Sequence, residues 1–177
     1  MKDANLKDVK LADAKFTDIS GKIIDQLNSG IFLTVKDNNG SLNTMTIGWA
    51  SLGRLWQKPV FIALVRPTRH TYKLIENAKD FTVSIPLNGQ LKNELTVCGT
   101  KSGRDMDKFS ECGLVPVQID DLFSPAIDGC DIFLGCKIIY KQTLSPESMN
   151  QWLNKIYDEH KDYHTLYYGE ILSCKTK

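Results

Sequence analysis

The segment from Ile31 to Trp49 limits the possible folds of this chain more than any other. Ile31, Leu33 and Val35 alternate with Phe32, Thr34 and Lys36, the two-residue period of a strand with distinct faces. Asp37-Asn38-Asn39-Gly40 follows, and Asn-Gly is a strong hairpin signal because both residues tolerate positive φ. The returning strand, Ser41–Trp49, puts Asn43, Met45, Ile47 and Trp49 on one face and Thr44, Thr46 and Gly48 on the other. An antiparallel hairpin this early directs the chain toward an antiparallel sheet.

The remaining pattern agrees. Pro59–Arg66 is near-continuously apolar, as a strand buried on both faces would be. Thr68 can cap a helix from Arg69 to about Ala78. Phe81, Val83 and Ile85 mark another strand, ended by Pro86. Asn88 can cap a helix with the stripe Leu91, Leu95 and Cys98, and Gly99 can stop it. Lys101–Lys108 is polar and reads as a loop. In Asp131–Lys141, Ile132, Leu134, Cys136, Ile138 and Tyr140 share one face. Ser145-Pro146-Glu147 reads as a helix start, with Met149, Trp152, Leu153, Ile156 and Tyr157 as the apolar stripe. A last strand spans about His164 to Ser173. Strands with short helices between some of them are not the regular alternation of a doubly wound sheet. The expected class is mainly β, an antiparallel barrel with peripheral helices. No repeat or linker divides residues 1–177, which read as one domain behind a polar lead-in of about 21 residues.

Composition narrows the function classes. With 22 basic against 21 acidic residues and a formal net charge of +1, nothing calls for a nucleic-acid or membrane-surface partner. The longest apolar run, Val60–Val65, is strand-sized, and residues 1–18 lack the apolar core of a secretory leader, so the expected location is cytoplasmic. Five cysteines without a Cys-x-x-Cys pair read as reduced thiols. Glycine-rich phosphate loops, a Gly-x-Ser-x-Gly elbow and a His-Glu-x-x-His helix are all missing. His160 and His164 are four residues apart, but Tyr163 onward reads as strand, so no metal site is expected there.

Three polar segments remain. Asn43-Thr44-Met45-Thr46-Ile47-Gly48-Trp49 offers hydroxyls and amides beside an indole, which suits a flat aromatic ligand rich in acceptors. It equally suits an edge strand with Trp49 in the core. Arg66-Pro67-Thr68-Arg69-His70-Thr71 passes from strand end to helix start and can hold a phosphate. It can also be a capped helix with solvated arginines. In Cys98–Phe109, two glycines permit close backbone approach and Lys101, Arg104 and Lys108 supply charge, although a plain surface loop has the same composition. No one segment is decisive alone.

In combination, these residues resemble the flavin reductase-like family, and its flavoredoxin branch most closely. The matching blocks are Asn43-Thr44-Met45-Thr46…Trp49, Arg66-Pro67-x-Arg69-His70-Thr71, Ser102-Gly103-Arg104-Asp105-x-Asp107-Lys108-Phe109 after Cys98-Gly99, and His164…Gly169-Glu170-Ile171. They run in order from about residue 25 to 172. The resemblance implies a six-stranded antiparallel Greek-key split β-barrel and a homodimer with FMN near the subunit interface. It implies that Asn43, Thr44, Met45 and Thr46 line the isoalloxazine and that Trp49 packs near the ring. Arg66, Thr68, His70 and Thr71 would lie along the phosphate and ribityl chain, and Cys98, Gly99, Ser102, Gly103 and Lys108 would complete the site. His164 is the catalytic candidate, near the reactive edge of the flavin. Relatives usually continue past the Gly-Glu strand with a segment that packs near the flavin, whereas this sequence ends at Lys177. Residues 144–162 supply an extra helix before His164.

The implied activity is NAD(P)H-dependent flavin reduction, with hydride passing from a nicotinamide to flavin N5. The alternatives are a flavoredoxin-like carrier that serves a redox partner protein without its own NAD(P)H activity, and a barrel that has lost its flavin. In the reductase and the carrier the flavin supplies the chemistry and the protein supplies position and electrostatics.

Overall fold

The computed structural model describes residues 9–177, so the first eight residues of the polar lead-in lie outside the described part. In chain order it contains β1 (Ala12–Asp13), α1 (Phe16–Leu27), β2 (Ile31–Lys36), β3 (Leu42–Ile47), β4 (Ala50–Leu55) and β5 (Lys58–Val65). Next come α2 (His70–Ile75), β6 (Asp80–Ile85), α3 (Lys92–Thr100), α4 (Lys108–Glu111), β7 (Pro116–Val117) and β8 (Ala126–Ile127). The chain ends with β9 (Ile132–Thr143), a 3-10 turn at Pro146–Ser148, α5 (Gln151–Tyr157) and β10 (Thr165–Thr176).

The main sheet runs β3-β2-β6-β9-β10-β5-β4, antiparallel throughout, with β1 added against the end of β10. Strands β7 and β8 form a separate pair. The two ends of the path, β3 and β4, are consecutive in sequence and joined only by Gly48 and Trp49. The sheet must therefore curl until its ends lie close, yet no ladder closes them among the described residues. This is a split barrel. Its interior is filled by Leu33, Met45, Phe61, Val83, Leu134 and Tyr167, with Ile19 and Ile23 of α1 and Leu74 and Ile75 of α2 packed against them. A second core, around Phe32, Leu95, Ile119 and Phe133, lies between the sheet, α3 and the segment that carries β7 and β8. Coverage on both sides explains why β9 is buried from Ile132 to Cys136 irrespective of alternation.

All six strands expected from the sequence are present, and β4 and the two-residue strands β1, β7 and β8 are additions. Ala50–Leu55 carries no β-branched residue, and its turn into β5 is Trp56-Gln57 rather than Asn-Gly, although both have positive φ (50° and 62°). In the β2–β3 hairpin only Gly40 has positive φ, at 84°. The loop is held instead by the Asp37 carboxylate, which accepts from Asn39 N (2.9 Å) and Ser41 N (2.8 Å).

Helix boundaries differ more. The residue preceding α2 is Arg69, and Thr68 does not cap it. Helix α3 begins after Leu91, which itself sits at φ 56°, and runs through Gly99 instead of stopping there. The proline start at residue 146 yields one 3-10 turn, and α5 begins only at Gln151, capped by Asn150, whose side chain accepts from Leu153 N (2.8 Å). Of the expected stripe on this helix only Tyr157 is buried, while Trp152 and Ile156 are exposed. The loop after α3 ends where the Asp107 carboxylate caps α4.

Gly169 shows how tightly the barrel is packed. A Cβ there would stand 2.6 Å from Phe81 Cζ and 2.7 Å from Cys136 Cβ, so both rigid neighbours would have to move. Gly169→Ala is expected to destabilise the fold by about 2 kcal/mol, read as a lower urea midpoint with unchanged slope.

Candidate functional site

Two adjoining clefts enclose about 440 and 560 Å³ of open space and share Met45 and Arg69, so they form one groove. The groove follows β3, crosses the open edge at Gly48-Trp49, and is walled by the turn into α2 and the loop between α3 and α4.

Its first half is built from β3, α2 and that loop. Asn43 Nδ2 donates to Thr71 Oγ1 at 2.7 Å, which fixes the amide at the groove floor. Gly103 lies against this pair. A Cβ there would run into the Asn43 amide oxygen and come within 2.8 Å of His70 Cδ2, so only glycine lets the loop approach. His70 Nδ1 is buried without a hydrogen-bond partner. Burial, then the charges of Arg104, Lys108 and Lys73, hold His70 below its ordinary pKa.

Lys108 ties the segments together. Its side chain is 4% exposed, and its ammonium donates to Thr44 O (3.0 Å) and Cys98 O (2.8 Å). Burial lowers its pKa. Two carbonyl acceptors leave one N–H of the ammonium uncommitted. The Cys98 thiol is pushed up to about 12, mainly by burial, so at neutral pH it is a packed, unreactive group. Around the rim, Arg69 donates to Gly99 O (3.2 Å) and Arg104 to Thr68 O (3.0 Å), with Lys101 exposed beside them. Both guanidinium groups keep further N–H donors.

The second half lies at the split. Trp49 is 46% exposed, so it is not a core residue, and its ring centroid lies 5.1 Å from that of His164. His164 is 7% exposed, and its Nδ1 lies 2.7 Å from the Tyr157 hydroxyl. Burial lowers its pKa to about 4, Arg66 and Arg69 adding to the shift and Asp162 opposing it. The Asp162 carboxylate accepts from Thr68 Oγ1 (2.5 Å) and Thr68 N (3.4 Å) and lies 4.0 Å from Arg66 Nη1. The Arg66 guanidinium also stands 5.4 Å from the Tyr157 ring centre.

The groove thus gathers Asn43, Met45, Thr46, Trp49, Arg66, Thr68, His70, Thr71, Cys98, Ser102, Gly103, Lys108 and His164 from four distant stretches. The Thr44 side chain faces elsewhere, bonded to Thr34 Oγ1 (3.1 Å) and Leu33 O (3.2 Å); only its carbonyl takes part, through Lys108. Gly99 lines a neighbouring cleft between α1 and α3. Sequence reasoning named Arg69 and Arg104 as charge within the polar segments without carrying them into the flavin site, and it left Tyr157 and Asp162 out altogether. The two arginines stood within the matching motifs, whereas Asp162 meets Thr68 across 94 residues, with no local signal. His160 is exposed beside Glu159, and the described residues contain no cluster of His, Cys, Asp or Glu able to hold a metal.

Known proteins resemble this chain in sequence and fold. Residues 25–177 match the flavin reductase like domain. An uncharacterized protein of Pyrococcus abyssi is 26% identical over 149 residues, 82% of this chain and 73% of that one. The structure of flavoredoxin from Desulfovibrio vulgaris (Miyazaki F) superposes with a TM-score of 0.66 at 24% identity, over 84% of this chain and 69% of the other. An FMN-binding domain of a flavin reductases-like enzyme from Shewanella baltica gives 0.67 at 20% identity, over 96% and 78%. The split barrel and the family match over most of the chain agree: the protein belongs to the flavin reductase-like family.

Proposed function

We propose that the groove holds FMN and that the protein is an NAD(P)H-dependent flavin reductase acting as a cytoplasmic homodimer. The observation that carries the reading is the cradle at Gly103. The His70 ring lies with its Cδ2 edge against a glycine that admits no side chain, its Nδ1 is buried with no hydrogen-bond partner among the described residues, and Arg69, Arg104 and Lys101 line the same cleft. This donor set fits a phosphate, and the same groove continues to the indole of Trp49, a flat wall suited to an aromatic ring. The Shewanella relative is described as FMN-binding, which supports the same cofactor here.

Bound FMN would supply hydride and electron transfer. The chain's residues supply the setting. Arg69 and Arg104 hold the phosphate, and an anion there offsets the charges that depress His70. The free N–H of Lys108 serves a carbonyl of the ring, and the Asn43–Thr71 pair fixes the floor. His164 stays neutral and contributes a hydrogen bond rather than a charge. For the homodimer, the outer sheet face offers half-buried Ile62 opposite Tyr168 and Leu64 opposite Leu166, next to the groove.

Titration with FMN and with riboflavin tests the assignment. Arg69→Ala with Arg104→Ala should weaken FMN roughly tenfold to a hundredfold and leave riboflavin almost unchanged; equal losses for both would remove the phosphate from this rim. Stopped-flow mixing of the FMN-loaded protein with NADH and NADPH should bleach the flavin with at least one. Bleaching with neither would exclude the reductase and favour a carrier.

The pKa of His164 predicts a pH dependence of stability. The folded value is about 4 against 6.5 ordinarily, so the unfolded chain takes up the proton first. Stability is full above pH 6.5 and falls as pH drops toward about 4, by up to about 3 kcal/mol from this residue. His164→Gln should flatten that part of the stability–pH curve measured by urea unfolding.

A further inference from the structure

We infer that Tyr157 is a positioning residue: its hydroxyl locks His164 in the tautomer that carries its proton on Nε2, presenting a fixed N–H donor to the groove beside Trp49. Tyr157 is 2% exposed, and among the described residues its hydroxyl has a single hydrogen-bond partner, His164 Nδ1, at 2.7 Å. If Nδ1 carried the proton and donated, the tyrosine O–H would be left without an acceptor in a buried position, at the cost of a lost hydrogen bond. If the tyrosine donates, both groups are satisfied. Nδ1 is then the acceptor and the proton of a neutral imidazole resides on Nε2. Burial also keeps the tyrosine protonated, since its pKa is raised.

The charges around the ring act in the same direction. Arg66 and Arg69 oppose a second proton on His164, and Asp162, which favours one, is engaged by Thr68 and Arg66. Among the described residues Nε2 has no hydrogen-bond partner and is not one of the atoms buried without one, while the ring lines the groove with Trp49, Leu64 and Arg66. The site therefore offers a neutral donor of constant direction, suited to a carbonyl oxygen of a bound ring or carboxamide. Helix α5 thereby has a role in the site: it delivers Tyr157 to His164 while most of its apolar residues remain at the surface. The ligand half of this inference rests on the flavin reading above, but the tautomer does not.

The test is the nitrogen spectrum of histidine-labelled protein without flavin, for the wild type and Tyr157→Phe. This change keeps the ring that packs under Arg66 and against His164. The wild type should show His164 with its proton on Nε2 at pH 6 to 8, and Tyr157→Phe should admit the Nδ1–H form. With flavin bound, the variant should raise KM for the nicotinamide about fivefold, with a smaller change in kcat. A wild-type proton on Nδ1, or a variant with the tautomer unmoved, overturns the inference. If Tyr157→Phe does not fold, the wild-type tautomer alone decides. Failure of the wild type to bind FMN while His164 is in the Nε2–H form would count against the flavin reading and leave the role of Tyr157 standing.

Discussion

Strands β3 and β4 lie at opposite ends of the hydrogen-bonded path, yet only Gly48 and Trp49 separate them in sequence. A two-residue link cannot span a flat seven-stranded sheet whose strands are about 4.8 Å apart, so the sheet has to roll up. It rolls around the large side chains of its inner face and stops short of a ladder between the two edges. The gap between them is where Trp49 is exposed, where β3 offers Asn43, Met45 and Thr46, and where Arg66 and His164 arrive at the ends of neighbouring strands. The groove is thus a consequence of incomplete closure.

Lys108 converts that gap into a defined site. Its buried ammonium binds one carbonyl from β3 and one from α3, so the loop between α3 and α4 is held down on the open strand. Burying this charge is tolerable because both acceptors are close and well placed. Gly103 then reaches the floor, where Asn43 and His70 leave no room for a side chain. The basic groups at the rim stay near the surface. The groove therefore has a rigid, mostly uncharged floor and a charged entrance, an arrangement that suits a ligand with a flat ring and an anionic tail.

Much of the architecture was legible because alternation and apolar runs report burial directly, and the six strands read that way are all present. β4 escaped because its side chains, Leu52 apart, are small or exposed and its turn uses Trp56-Gln57, residues that seldom signal positive φ. Helix ends were less legible, since Thr68 and Asn88 are cap types whose side chains found other partners: Thr68 bonds Asp162, and Asn88 meets Asp131. The site was read through its motifs, and most of the named residues do line the groove. Thr44 did not follow, because strand alternation turns its hydroxyl toward Thr34. The links of Asp162 to Thr68 and of Tyr157 to His164 depend on how residues 144–164 fold back, which no local pattern encodes.

A crystal structure grown with FMN tests the central claim most directly. The account predicts the phosphate among Arg69, Arg104 and Gly103 and the ring between Met45 and Trp49, with His164 Nε2 facing a ligand acceptor. Flavin seated instead in the cleft between α1 and α3, or no bound flavin at saturating concentration, would contradict it.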